Sequence, residues 1–349
     1  MGKSLLYLCV LLVILSFFSC SGKKGILTPT SSGRPYELLV VVDHDLWERP
    51  AGRSLYHVLD TDVPGLPQSE RSFKIMYTSP DNYDTTLKLI RNIIIVDIQK
   101  DVYTQAKFKY SKDVYASPQI ILTIQAPDEE TFEKFVNDNK NVIVDFFTRA
   151  EMNRQIASLE KKHNDYIATK VASMFDCSIW LPAELTGSKE GQNFFWASTN
   201  TATADQNFVI YSYPYIDKAT FTKEYFIHKR DSVMKVNIPG SKDGMYMMTD
   251  SSMVSVRAIG VHGDYTQEVR GLWRVKNDFM GGPFVSHVRL DKANQRIIVV
   301  EIFIYSPDKL KRNLVRLMEA SLYTLKLPNE KKQGEIPLDV SKEGINDYN

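Results

Sequence analysis

Two hydrophobic patterns alternate along this chain. Short apolar runs of strand length, "YELLVVVD", "FKIMYTS", "NIIIVDIQ" and "PQIILTIQA", lie between turn-forming residues, and "VYTQAKFKYS" adds an alternating run between the last two. From Asp128 the spacing changes. Phe132, Phe135, Val136, Ile143, Phe146 and Phe147 recur at i, i+3 and i+4, which predicts an amphipathic helix. Met152, Ile156, Leu159, Tyr166 and Ile167 predict a second long helix. Strand-like runs return in "DCSIWLP", "FFWAST" and "NFVIYSY", followed by a helix around "ATFTKEYFIHKRDSV". Four further runs, "MVSVRAIGV", "YTQEVRGLWRV", "FVSHVRLD" and "RIIVVEIFIY", precede a final helix carrying Leu310, Leu314, Leu317 and Leu325.

The same punctuation closes several of these strands. "YTSPDNY", "IQAPDEET", "YSYPYIDKATF" and "IYSPDKL" each place a proline where an apolar run ends, at Pro80, Pro127, Pro214 and Pro307. Proline suits the first turn of a helix, where its missing N–H costs nothing and its φ is already helical. A serine before it can cap a free N–H, and an aspartate after it meets the positive end of the helix dipole. The unit is therefore a strand-to-helix switch. "YTQ" also occurs once in each half, at residues 103–105 and 265–267. The pattern predicts an α+β protein of two related α/β sandwich halves, roughly ferredoxin-like, with antiparallel sheets and helices on one face. Divergent duplication would explain the likeness, although this punctuation is common in α+β proteins.

The ends differ from the middle. Lys3 followed by the uncharged run "LLYLCVLLVILSFF" reads as a secretory signal over residues 1–19, too short for a membrane span of about 20 apolar residues. "FFSC" puts Cys20 at the cut, as in a bacterial lipobox, although that motif prefers Leu where Phe17 stands. The expectation is acylation of Cys20, each buried CH₂ contributing about 0.8 kcal/mol to membrane binding; an ordinary signal peptide with a coincidental cysteine is the other reading. Residues 20–35 read as a flexible tether, 36–148 as an N-terminal α+β domain, 149–176 as a linking long helix and 177–327 as a C-terminal α+β domain. Residues 328–349 show no periodicity and read as a disordered tail.

Composition narrows the function classes. The cysteines are Cys9, Cys20 and Cys177, so once signal and lipid claim the first two, Cys177 has no intrachain partner. Without Lys3, 42 basic residues face 42 acidic ones, a balance with no nucleic-acid footprint. Asp43, His44 and Asp45 follow the first strand, where α/β folds often bind ligands. They form a weak candidate polar site, since neighbours in extended chain point apart and Asp45 could equally cap a helix. No histidine pair has metal-ligand spacing, and no GxSxG or glycine-rich phosphate loop is present, so neither metal nor cofactor is expected. "GLWRVKNDFMGGPFVSH" is the most unusual stretch. Arg270, Trp273, Arg274, Phe279, Gly281, Gly282 and Phe284 combine arginine, aromatic rings and a Gly-Gly turn, the mixture of a binding surface. The alternative is a hairpin with core aromatics at its base.

"FFSC", "GLPQSERSFKIMY", "RNIIIVDI" and "GLWRVKNDFMGGPFVSH" together resemble an uncharacterised family of Bacteroidetes lipoproteins, a domain of unknown function. The resemblance implies a Gram-negative envelope but supplies no activity, cofactor or catalytic residue. Lys23 and Lys24 stand where surface-exposed lipoproteins of that group usually carry acidic residues, which implies a protein facing the periplasm. The functional expectation is a lipid-anchored, non-catalytic binding or assembly module, held to the membrane through Cys20, with an envelope protein as partner. An envelope hydrolase or transferase with a site between the two halves is the alternative.

Overall fold

The computed structural model describes residues 28–331 and 333–338. Two sheets, of five and seven strands, and seven α-helices make up these residues, so the protein is α+β in two halves. Cys20 and the signal lie outside the described residues.

The first half contains β1 (Glu37–Val41), α1 (His44–Glu48), α2 (Pro50–Leu59), β2 (Lys74–Thr78), β3 (Asn92–Ile98), β4 (Lys107–Lys112), β5 (Ile120–Ala126), α3 (Glu129–Asp138) and α4 (Lys140–Lys161). Its strand order is β2-β1-β3-β5-β4. Here the structure corrects the expected antiparallel sheet: β2, β1, β3 and β5 run parallel, and only β4 at the edge is antiparallel. The reason lies in the connections: between β1 and β2 the chain passes through α1 and α2, a crossover that brings it back to start the next strand in the same direction, and the two faces are then covered. Leu38, Val40, Ile94, Leu122 and Ile124 pack under the helices through Leu55, Phe132, Ile143 and Phe147. Leu39, Val41, Ile93 and Ile121 face the other way, covered by the loop bearing Tyr83, Leu87 and Ile90.

The second half contains α5 (Asp165–Phe175), β6 (Gly187–Gly191), β7 (Phe194–Ser198), β8 (Asp205–Pro214), α6 (Lys223–Asn237), β9 (Met247–Val261), β10 (Asp264–Val275), β11 (Gly281–Asp291), β12 (Arg296–Tyr305) and α7 (Arg312–Leu322). Its sheet, β6-β7-β8-β12-β11-β10-β9, is antiparallel throughout. Helices cover both faces, not one. Ile167, Val171, Met318 and Leu322 of α5 and α7 meet Ile210, Val300 and Ile302, while Phe226 and Met234 of α6 meet Tyr211, Val299 and Phe303.

The two sheets share neither strand order nor direction, which removes the topological basis for a duplication. Tyr103 sits in a turn, its hydroxyl on Asp97, while Tyr265 lies within β10, so the two "YTQ" stretches occupy different settings. The proline punctuation marks chain turns more than a repeat. After Pro127, Asp128 caps α3 by accepting from Thr131 N at 2.7 Å, but after Pro80 only a 3₁₀ turn forms.

Three boundaries move. Residues 28–35 do not hang free: Ser117 N donates to Pro29 O at 2.8 Å and Ser32 N to Leu89 O at 2.8 Å. The linking helix begins at Lys140 within the first half and breaks at residues 162–164, where Asn164 caps α5 through Ile167 N. The expected disordered tail is packed as far as residue 338: Ile336 is buried beside Met152 and Tyr323 and exchanges two hydrogen bonds with Asn153. Glu330 pairs with Arg289 and His262. Over residues 328–331 and 333–338 the absence of periodicity reflects irregular backbone rather than lack of packing, and residues 339–349 of the expected tail lie outside the described residues. No helix among the described residues is long and apolar enough to cross a membrane.

Candidate functional site

The two halves meet along α4 and α7, and a cleft opens where this seam meets the start of β1. Residues 34–37 form a tight turn closed by Glu37 N donating to Arg34 O at 3.1 Å, with Pro35 second and Tyr36 third at φ 64°. That conformation asks for glycine, and a tyrosine held there stores local strain. The Tyr36 ring is buried and faces Arg316 of α7, whose guanidinium carbon lies 5.6 Å from the ring centre. Lys74, Arg91, Glu151, Arg154, Gln155 and Arg312 complete much of the wall of a cavity of about 660 Å³.

The lining is lopsided in charge: six cations, Arg34, Lys74, Arg91, Arg154, Arg312 and Arg316, against two carboxylates, Glu37 and Glu151. Glu37 takes Lys74 at 3.0 Å. Glu151, almost fully buried, takes both Arg91 and Arg154 at 2.9 Å and also accepts from Asn92 Nδ2 at 2.6 Å. Burial pulls the Arg154 pKa down and Glu151 opposes it. The guanidinium groups of Arg34 and Arg312 form no ion pair with a carboxylate among the described residues; that of Arg312 donates to Arg71 O and Asn313 Oδ1. Arg316 is 5% exposed, its Nη1 lies 3.8 Å from Glu319, and its Nε has no partner; Arg91 Nε is orphaned as well. A buried guanidinium N–H without an acceptor is costly, and neither of these has one among the described residues.

Arg316 also borders a second cavity of about 760 Å³, where the buried hydroxyls of Ser72 and Thr148 have no partner among the described residues. Behind it lies a charge chain. Glu268 pairs with Arg257 and Arg270 at 2.8 Å each, and Arg270 passes to Glu319. Burial pushes Glu268 upward, but Arg270 and Arg257 together hold it well below the usual carboxylate range. His287, fully buried 3.9 Å from Glu268 and edge-on to Tyr323, has neither ring nitrogen hydrogen-bonded among the described residues; burial pushes its pKa down to about 3.

The residues singled out in the sequence go elsewhere. Asp43 caps α1, accepting from Asp45 N and Leu46 N, while His44 stacks on Tyr77 at the surface. Asp45 occupies the first helical turn. No group of three His, Cys, Asp or Glu among the described residues could hold a metal ion. The Gly-Gly stretch is not one surface. Trp273 is buried and donates from Nε1 to Ile304 O at 3.2 Å, Phe284 is buried beneath Arg230, and Arg270 belongs to the charge chain. Gly282 is glycine because a Cβ there would lie 2.0 Å from Ile304 O, and Gly281 because one would lie 2.8 Å from Trp273 O. Only Arg274 and Phe279 of that set are exposed. The buried members, Arg270, Trp273 and Phe284, belong to a strand core. The cleft residues were missed because they are scattered over nearly 300 positions; the quoted stretches "GLPQSERSFKIMY" and "RNIIIVDI" hold Lys74 and Arg91, but nothing local marks them as neighbours.

Residues 31–160 match the family model described as Domain of unknown function (DUF8532), and residues 164–324 match that described as Domain of unknown function (DUF4837). No curated protein matches the chain. Among solved structures, a mutant of Protein Mog1 is similar at 8% identity, over 43% of this chain and 90% of that one, with a TM-score of 0.29. A superposition that loose carries no argument.

Proposed function

We propose that this chain, built of two uncharacterised domains, is a lipid-anchored envelope protein facing the periplasm that binds a ligand in the cleft between its halves without transforming it. One observation carries the reading: Arg316, 5% exposed at the seam and with its Nε unpartnered among the described residues, lines a cavity whose walls come from both halves. Guanidinium groups dominate that wall, and they cannot act as general bases because they do not lose their proton in proteins. They bind and orient. The "FFSC" motif supports the anchor, and Lys23 and Lys24 support the periplasmic side.

The test is native mass spectrometry of the protein extracted from its own envelope, wild type against Gln155→Trp. Gln155 lines the cavity on α4, and an indole there would fill the space. A small-molecule adduct present in the wild type and lost in a variant of unchanged melting temperature is the expected result. An adduct retained by Gln155→Trp, or none in either protein, overturns the cleft as the site.

A further inference from the structure

The binding reading leaves the ligand's chemistry open, and resting on that reading we infer that the cleft recognises a phosphate monoester on a small organic molecule. Carboxylates of the chain neutralise only part of the lining. Glu151 is shared between two arginines and Glu37 is used by Lys74, so Arg34 and Arg312 remain in surplus. Arg316 is not part of that surplus, since Asp145, Glu268 and Glu319 match Arg257, Arg270 and Arg316 one for one along the charge chain.

A surplus larger than one charge favours a multiply charged oxyanion over a lone carboxylate, and guanidinium forks match the paired oxygens of phosphate. The start of α7 does not compete for that anion, since Glu70 already accepts from Lys311 N and Arg312 N at 2.7 and 2.9 Å. Size argues against a bare ion. The cavity, about 660 Å³, lies within the roughly 300–1,000 Å³ of small-molecule sites. The Tyr36 ring, Leu314 and Leu317 give it an apolar side for an organic group.

Such a monoester could be a soluble metabolite or a lipid headgroup. Eight peptide units separate Cys20 from Thr28, a reach of at most roughly 28 Å, so an anchored chain holds the cleft near headgroups.

The experiment is calorimetric titration of the full-length, detergent-solubilised protein with glycerol 3-phosphate and with a short-chain phosphatidic acid, using phosphatidylcholine of the same chains as control. Ionic strength is held constant with NaCl. Binding of glycerol 3-phosphate supports phosphate recognition and assigns a soluble ester; binding of phosphatidic acid alone supports it and assigns a lipid. In either case Arg34→Gln combined with Arg312→Gln is expected to bind at least about tenfold more weakly, the loss of one or two charge-assisted hydrogen bonds. Arg34→Gln alone, at an exposed side chain with no ion-pair partner, guards against a folding artefact and is expected to weaken binding in the same direction.

Silence of both ligands, equal binding of phosphatidylcholine, or unchanged affinity in both variants overturns the inference. If both phosphate ligands are silent while the native adduct is lost in Gln155→Trp, the phosphate assignment falls and the binding reading stands.

Discussion

At the scale of single residues, the seam is set by buried charge. Glu268 and Arg270 are almost wholly removed from water, which costs free energy that only close pairing returns. His287 beside them cannot afford a proton. Its folded pKa, about 3, lies below the usual histidine value, so the unfolded chain binds more protons wherever pH falls between the two. Stability is therefore complete above about pH 6.5 and lost progressively as pH drops toward 3. The expected effect is a loss of about 2 kcal/mol from this residue between pH 6.5 and 5. Urea unfolding at both pH values should show it, and His287→Leu should flatten the slope; an unchanged slope would place the acid sensitivity elsewhere. A lone "SHV" in a strand reads only as alternation, and its burial depends on Tyr323 arriving from the end of α7.

At the scale of elements, local capping rules work where the cap is local and fail where it comes from afar. Asp43, Asp128, Asn164 and Thr222 all cap helices that follow them directly. Helix α7 has no such residue, because Lys311 stands at its cap position. Glu70 of the first half supplies both acceptors instead, and Arg312 donates to Arg71 O at 2.7 Å beside it. This carboxylate joins the halves as well as finishing the helix. Glu70→Ala is expected to cost about 2 kcal/mol in urea unfolding, a lost cap plus charge-assisted bonds, and to speed amide exchange at residues 311–314. Exchange rates equal to wild type there would show that the helix start does not depend on Glu70.

At the scale of the whole molecule, the start of β1 lies at once in the cleft and close in sequence to Cys20. If the lipid on Cys20 fixes the protein to the membrane, Cys20→Ala should abolish labelling with a palmitate analogue and move the protein to the soluble or unprocessed fraction. Unchanged labelling and membrane retention would remove the anchor from the functional reading.

What the sequence determined alone follows from short-range physics. Periodicity marked the strand runs and the helical stretches, and hence an α+β protein in two halves. What only the tertiary structure decided depends on which distant surfaces meet. The direction of β1, β2, β3 and β5 was such a matter, because a run buried on both faces says nothing about its neighbour's polarity. So was the fate of Trp273 and Phe284, whose type suits a binding surface and a core equally. The cleft was another, since its cations come from the β1 turn, β2, the start of β3, α4 and α7. Their surplus charge becomes a site only when folding brings them around one cavity.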